Sequence, residues 1–307
     1  MPRGRLGNQM AQYLVAMRLR QLVGSDLAIF GYNMPEWNLV APVQEPGGRV
    51  GPELTGNLFD LRQVARRMKA GRLERATLSG FGFRLEHFPS SQESRKWFVS
   101  PGPAREVLRD DELLINIRAE DILGRGIHPD YGLLPVEYYR ALAHKTGLKP
   151  VFQGQIEAGP YLDGLLAALP EARVLPSQGA AADFQIIRQA RNIVLSLSSY
   201  AWIAAWLSEA RQIHVPVSGF LNPRQRPDID LLPVDDARYR FYAFSVRRWN
   251  GSASQQDELL RHGSSFREMP AAEVRRIRCG AAWRTAGRRL CKKVIFAWES
   301  FRTGGGR

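Results

Sequence analysis

Apolar positions along this chain follow two rhythms that alternate over most of its length. Ala11, Leu14, Val15, Leu19 and Leu22 recur at helical spacing, with Gln12, Arg18 and Arg20 off that face. They predict a helix whose N-terminus carries the amides Asn8 and Gln9. Asp26 to Phe30 reads as a strand and Phe59 to Lys69 as a short basic helix, with Pro/Gly-rich connections such as Ala41 to Pro52. Pro101-Gly102-Pro103 marks a linker. From Glu112 the alternation becomes regular. Glu112 to Ile117 is an apolar run suited to a buried parallel strand, and a helix follows from Pro135 to about Lys145. Strands at Pro150–Phe152, Ala172–Leu175, Asn192–Leu197 and Gln212–Val217 then alternate with helices at Tyr161–Leu169, Asp183–Arg191 and Tyr200–Ala210. That alternation predicts a doubly wound parallel α/β sheet. Beyond about Asn250 the chain turns helical and basic. The expected divisions are 1–110, 111–249 and a basic helical tail, 250–307.

At 307 residues the chain can bury two ordinary cores. Its apolar and charged fractions are those of a soluble globular protein. The two cysteines, Cys279 and Cys291, give neither a disulfide framework nor a C-x-x-C metal site, so a reducing compartment is the default expectation. The most apolar stretch, Asn192 to Leu207, is broken by Ser196, Ser198 and Ser199 and is too short to span a bilayer. No signal peptide opens the sequence.

The formal charge of +13 changes the picture. Ten Arg/Lys against two Glu between Glu273 and Arg307 place +8 of it in the tail. Trp283, Leu290, Val294, Trp298 and Phe301 follow helical spacing there, with Arg284, Arg288, Lys292 and Lys293 on another face. This is the composition of a helix lying on an anionic membrane, and equally of a helix packed on its domain with a solvated basic face. No aromatic-interleaved basic motif of a nucleic-acid module is present, which speaks against nucleic acid.

Ligands of doubly wound sheets sit outside the carboxyl ends of the strands. Three segments occupy such places. Arg118 ends an apolar strand, where a guanidinium can grip a diphosphate bidentately or pair with Glu120 or Asp121. Ser198 and Ser199 stand between a strand and a helix, where serine caps the helix and where hydroxyls and free amides also bind phosphate. Gly4-Arg5-Leu6-Gly7-Asn8 leads into the first helix, with glycines that allow positive φ and close backbone approach. Asp183 can cap the helix it begins. No D-x-D follows a strand in the second unit and no His/Cys cluster has ligand spacing, so no metal is expected; Asp228-Ile229-Asp230 reads as a turn.

Gly4-Arg5-Leu6-Gly7-Asn8-Gln9-Met10 at a helix head resembles the signature of fucosyltransferases, above all the alpha-1,2-fucosyltransferase family (glycosyltransferase family 11). Two further segments match in order. Ile115-Asn116-Ile117-Arg118-Ala119-Glu120-Asp121, followed by Leu134-Pro135-Val136-Glu137-Tyr138-Tyr139, is similar to the family's H-x-R-R-x-D and L-P-x-x-Y-Y segments. Asp183 to Trp206 is similar to its block of aspartate, helix, strand, paired serines and helix. The resemblance spans about two thirds of the chain. It departs from the family at Asn116, Ala119 and Gln153-Gly154-Gln155, where the family has His, Arg and an acidic pair. Only Met1-Pro2 stands where a first strand precedes the glycine motif.

The resemblance implies a GT-B-like fold, two Rossmann-like domains facing across a cleft, with the acceptor on 1–110 and the nucleotide sugar on 111–249. It implies inverting, metal-independent transfer of fucose from GDP-fucose to a glycan hydroxyl, with no cofactor beyond the donor. Arg118 would hold the β-phosphate, Gly7, Ser198 and Ser199 would lie at the donor, and Asp183 would read the guanine edge. Asn8 would orient sugar and acceptor, and Arg5 could meet an acidic group. Asp121, His128 and Asp130 are the candidates for the base, Asp121 being taken as catalytic. The expected setting is the cytoplasm, at the inner face of the membrane, with a lipid-linked glycan as one acceptor class. Two alternatives stay open: a transferase for another nucleotide-activated sugar, and a non-catalytic decayed transferase acting as a basic membrane or glycan adaptor.

Overall fold

The computed structural model describes residues 4–43, 51–99, 106–123, 127–261 and 266–304, the side chains of 120–121 and 288–304 excepted. The expected linker at 101–103 and much of the loop to Pro52 lie outside these residues. The chain divides into two compact units: unit 1 comprises 1–99, 227–231 and 278–307, and unit 2 comprises 100–226 and 232–277. The tail is therefore not a third unit; its first part belongs to unit 2 and the rest to unit 1.

Unit 1 opens with α1 (Leu6–Val23), whose Met10, Ala11, Leu14 and Val15 are buried. The strand expected at Asp26–Phe30 is irregular, and pairing begins later, in a hairpin of β1 (Tyr32–Met34) and β2 (Leu39–Ala41). Asn38, in the left-handed conformation, closes that hairpin. β3 (Glu53–Leu54) pairs in parallel with β4 (Thr77–Leu78) around α2 (Leu61–Lys69), which Asp60 caps by accepting from the Gln63 amide. The short α3 (Ser91–Ser94) carries a Ser90/Glu93 capping box. Among the described residues unit 1 thus holds two two-stranded sheets instead of a doubly wound one. Its core is aromatic: Tyr13 meets Tyr32, Trp97 and Phe98 edge-on, and Trp37 meets Phe98. Segment 227–231 is anchored here by Asn57, which donates to Asp228 over 2.8 Å, and by Arg278, which donates to both Asp230 oxygens.

Unit 2 is a seven-stranded α/β sheet. β5 (Glu112–Arg118) leads through α4 (Glu120–Leu123) and α5 (Val136–Thr146) to β6 (Lys149–Gln155). α6 (Pro160–Ala168), β7 (Arg173–Leu175), α7 (Ala180–Gln189), β8 (Asn192–Val194), α8 (Ser199–Trp206) and β9 (Gln212–Val217) follow. β10 (Tyr239–Phe244), α9 (Ala253–Leu260) and β11 (Phe266–Met269) complete it, and α10 (Ala271–Gly304) leaves it. The spatial order is β7-β6-β5-β8-β9-β10-β11, parallel throughout except for β11. Counted by appearance this is 3-2-1-4-5-6-7, the Rossmann-like winding with an antiparallel edge strand added. Leu113, Leu114, Ile115, Phe152, Ile193, Val194, Ile213 and Val215 are fully buried, as strands covered on both faces require.

Candidate functional site

The winding order reverses between β5 and β8, which lie side by side. Such a switch point leaves a crevice at the carboxyl ends of the two strands. Arg118 is the last residue of β5 and Ser196–Ser199 lead from β8 into α8, so two sequence-selected segments meet there. Arg118 Nη1 donates to the Leu197 carbonyl over 3.2 Å, directly ahead of Ser198. Its guanidinium lies 4.8 Å from the centroid of the Tyr131 ring, which itself stacks on Phe220 at 4.8 Å. The group is half-buried, and an aromatic floor fixes its plane. The alternative partners Glu120 and Asp121 have side chains outside the described ones.

Ser198 is the N-cap of α8: its Oγ accepts from the Ala201 amide over 3.3 Å. Capping is thus established, and Leu197, whose carbonyl meets Arg118, directly precedes the capped, positive end of α8. Tyr200, at the same helix start, donates its hydroxyl to the Ala180 carbonyl and packs on Phe184. The starts of α7 and α8 are therefore neighbours. Asp183 sits in the first turn of α7, where Gly179 is the N-cap. Its carboxylate accepts from the Ser177 hydroxyl over 2.6 Å and the Gln178 amide over 2.9 Å, which fixes the loop entering that helix.

Beneath Arg118 runs a buried ladder that the sequence did not announce. Ser196 Oγ donates to Asn116 Oδ1 over 2.6 Å, and Asn116 Nδ2 donates to the Gln153 carbonyl and Oε1, each at 3.3 Å. It ties the ends of β8, β5 and β6 together. Gly154 follows at φ +133°, where a Cβ would stand 2.1 Å from the Ile117 carbonyl oxygen. Only glycine fits that close approach.

Of the other candidates in unit 2, Asp130 is buried and accepts from Arg226 and Gln225, each over 2.9 Å. Its carboxylate holds the loop. His128 is exposed, accepts at Nδ1 from the Asp130 amide and meets Tyr131 edge-on. In unit 1, Arg5 is the N-cap of α1 and Gln9 donates to the Gly4 carbonyl. Gly4 has φ +86°, and a Cβ there would stand 2.4 Å from Asn8 Nδ2, so its smallness makes room for that amide. Gly7 contributes differently from the expectation: it is a buried residue inside α1 rather than a positive-φ hinge.

Along the same carboxyl edge, at the ends of β8, β9 and β10, unit 2 has a cavity of about 90 Å³. Leu133, Leu134, Leu197, Phe244, Trp249 and Leu259 line it, with the Ser218 and Ser245 residues at the strand ends. Trp249 holds its wall: Nε1 donates to the Ile122 carbonyl and the backbone amide to Pro129. Leu197 belongs to both places, its carbonyl meeting Arg118 while the residue lines the cavity. Among the described residues no group of three or more His, Cys, Asp or Glu could hold a metal ion, and no helix is long and apolar enough to cross a membrane. Comparison with protein-family models, with curated proteins and with solved structures finds no match in any of the three.

Proposed function

We propose that this chain is an inverting, metal-independent glycosyltransferase that moves fucose from GDP-fucose to a hydroxyl of a glycan acceptor. One observation carries the reading: Arg118 and the capped start of α8 stand at adjoining strand ends of the winding switch, joined through Leu197. A diphosphate placed there would meet a guanidinium and a positive helix end together. Both stabilise negative charge, and the charge on the departing diphosphate grows as the sugar bond breaks. The acceptor oxygen attacks the anomeric carbon from the opposite face while a base takes its proton, so one displacement inverts the centre. With Asp130 held by Arg226, the base falls to Asp121 or His128.

The cavity beside Leu197 would take a group attached to the diphosphate or the acceptor. A GT-B-like division of labour, donor on unit 2 and acceptor on unit 1 with Asn8, is part of the proposal. So is the cytoplasmic setting. The Asn116–Gln153 ladder favours a second reading, a donor with another base, because neutral amides stand where the fucosyltransferase pattern has charged groups.

Thermal-shift titration with GDP, UDP and CMP tests the donor. Stabilisation by GDP above the others supports guanine, selective stabilisation by UDP or CMP moves the proposal to the second reading, and no response to any of the three overturns both. Transfer from GDP-fucose that disappears in Arg118→Ala separates an enzyme from an adaptor.

A further inference from the structure

We propose that the side of α10 carrying Trp283 is a docking surface for an anionic lipid bilayer. This stands apart from the donor-site reading, and failure of either leaves the other in place.

Two faces of α10 can be told apart. Val274, Ala281 and Thr285 are buried and, at 100° per residue, share one stripe that packs the helix against the protein. Trp283 lies about half a turn from that stripe and is 81 % exposed, far more than any other large apolar side chain among the described residues. The second most exposed, Val107, has 67 %. A single exposed valine is ordinary, but a tryptophan this open costs water contact with a large ring and suits the boundary between water and lipid. Cys279, Ala282, Ala286 and Gly287 around it are also exposed, so the ring stands on a low surface.

The sequence continues the theme. Leu290, Val294, Ile295, Phe296, Trp298 and Phe301 follow Trp283 in the chain, among Arg288, Arg289, Lys292 and Lys293. The segment 273–307 carries a net charge of +8. Two of its cations are already committed: Arg275 to Asp235 and Arg278 to Asp230. The charge argues for the occupant. A second copy would bring a like-charged helix against this one. A nucleic acid would want cations at the centre of the contact, and here the most exposed large side chain is the apolar ring of Trp283. An anionic headgroup layer over an acyl interior matches both features.

The test is sedimentation of the full chain with vesicles of phosphatidylcholine alone and of phosphatidylcholine mixed equally with phosphatidylglycerol. Expected is binding to the anionic vesicles at least about tenfold stronger than to the neutral ones, weakening steeply with salt. Trp283→Ser should lower the anionic partition coefficient about tenfold, and Arg276→Glu should lower it at least about fivefold, since each basic residue near such a surface contributes about that factor. Both positions are exposed, so melting temperatures should match the parent and certify folding. Equal binding to both vesicle types, undiminished binding of Trp283→Ser, oligonucleotide binding without vesicle binding, or a dimer abolished by Trp283→Ser would each overturn the proposal.

Discussion

Replacing Arg118 separates its structural from its catalytic part. In the resting protein its guanidinium makes the hydrogen bond to Leu197 and lies over Tyr131. The bond is worth about 1 kcal/mol and the ring contact of a half-buried cation about 0.5–1 kcal/mol. Arg118→Ala should therefore cost roughly 1–2 kcal/mol of stability, a few degrees in melting temperature. In the transition state the same group would make charge-assisted bonds to the departing diphosphate. Losing two of them at about 1.5–2 kcal/mol each raises the barrier by about 3–4 kcal/mol, a fall in kcat of about 10²- to 10³-fold. Arg118→Lys keeps the charge but not the fork, so about tenfold of the loss should remain. The assay is transfer from GDP-fucose to a glycan mixture read by mass spectrometry, with a melting curve on each variant. A folded Arg118→Ala enzyme within about threefold of the parent would refute the reasoning, because no diphosphate could then depend on that guanidinium.

Gly154→Ala would place a Cβ 2.1 Å from the Ile117 carbonyl oxygen at φ +133°. It should cost at least about 2 kcal/mol in chemical denaturation, and a neutral result would mean that β6 and β5 do not approach as described. His87 in unit 1 and His214 in unit 2 are buried and desolvated, which pushes each down from 6.5 to about 4. The unfolded chain therefore takes up these protons first. Their share of stability is complete above pH 6.5 and is lost as pH falls toward 4, up to about 3 kcal/mol each. Urea unfolding as a function of pH should show this slope, and it should shrink in His214→Phe. Gly132→Val would push on Trp249, whose atoms already lie 3.3–3.4 Å from where a Cβ would stand. Narrowing the cavity should raise a substrate KM more than it lowers kcat, and unchanged kinetics would separate the cavity from the site.

The alternation from Glu112 to Val217 was legible because each strand there is a short apolar run between helices with their own punctuation. Gln212–Val217 appears in the structure with its predicted bounds. The sheet goes further than the pattern reached: β10 and β11 join its edge. Tyr239 to Phe244 carries Arg240 and four aromatic rings, and its pairing with β9 over five positions is a tertiary fact. The apolar run Asn192–Leu197 predicts a longer strand than forms, since β8 ends at Val194 and the chain passes through Ser196 to the N-cap of α8. In unit 1 the periodic signal was weak because the strands are two or three residues long, and aromatic packing sets the fold there.

At the candidate site, strand ends could be read from the sequence but through-space partners could not. Tyr131 and Leu197 meet Arg118 from other segments of the chain, and Phe220 backs the Tyr131 ring. Asn116 and Gln153 stood out only as departures from a family pattern, and the structure shows them bonded to each other. Ser196, Asn116 and Gln153 are all uncharged, so this ladder itself supplies no carboxylate to compete with an incoming anion. Gln153→Glu tests this. Gln153 is 1 % exposed and its Oε1 already accepts from Asn116, so glutamate fits the space. Burial would raise the new carboxyl's pKa above that of the unfolded chain, so the variant should lose stability relative to the parent as pH rises from about 4 to 8. Where ionised, the carboxylate would draw on Arg118 and weaken GDP binding about tenfold or more, with recovery toward pH 5. Calorimetric titration at both pH values decides it: equal GDP affinity in parent and variant at pH 8 would mean that the ladder has no electrostatic bearing on the anion site.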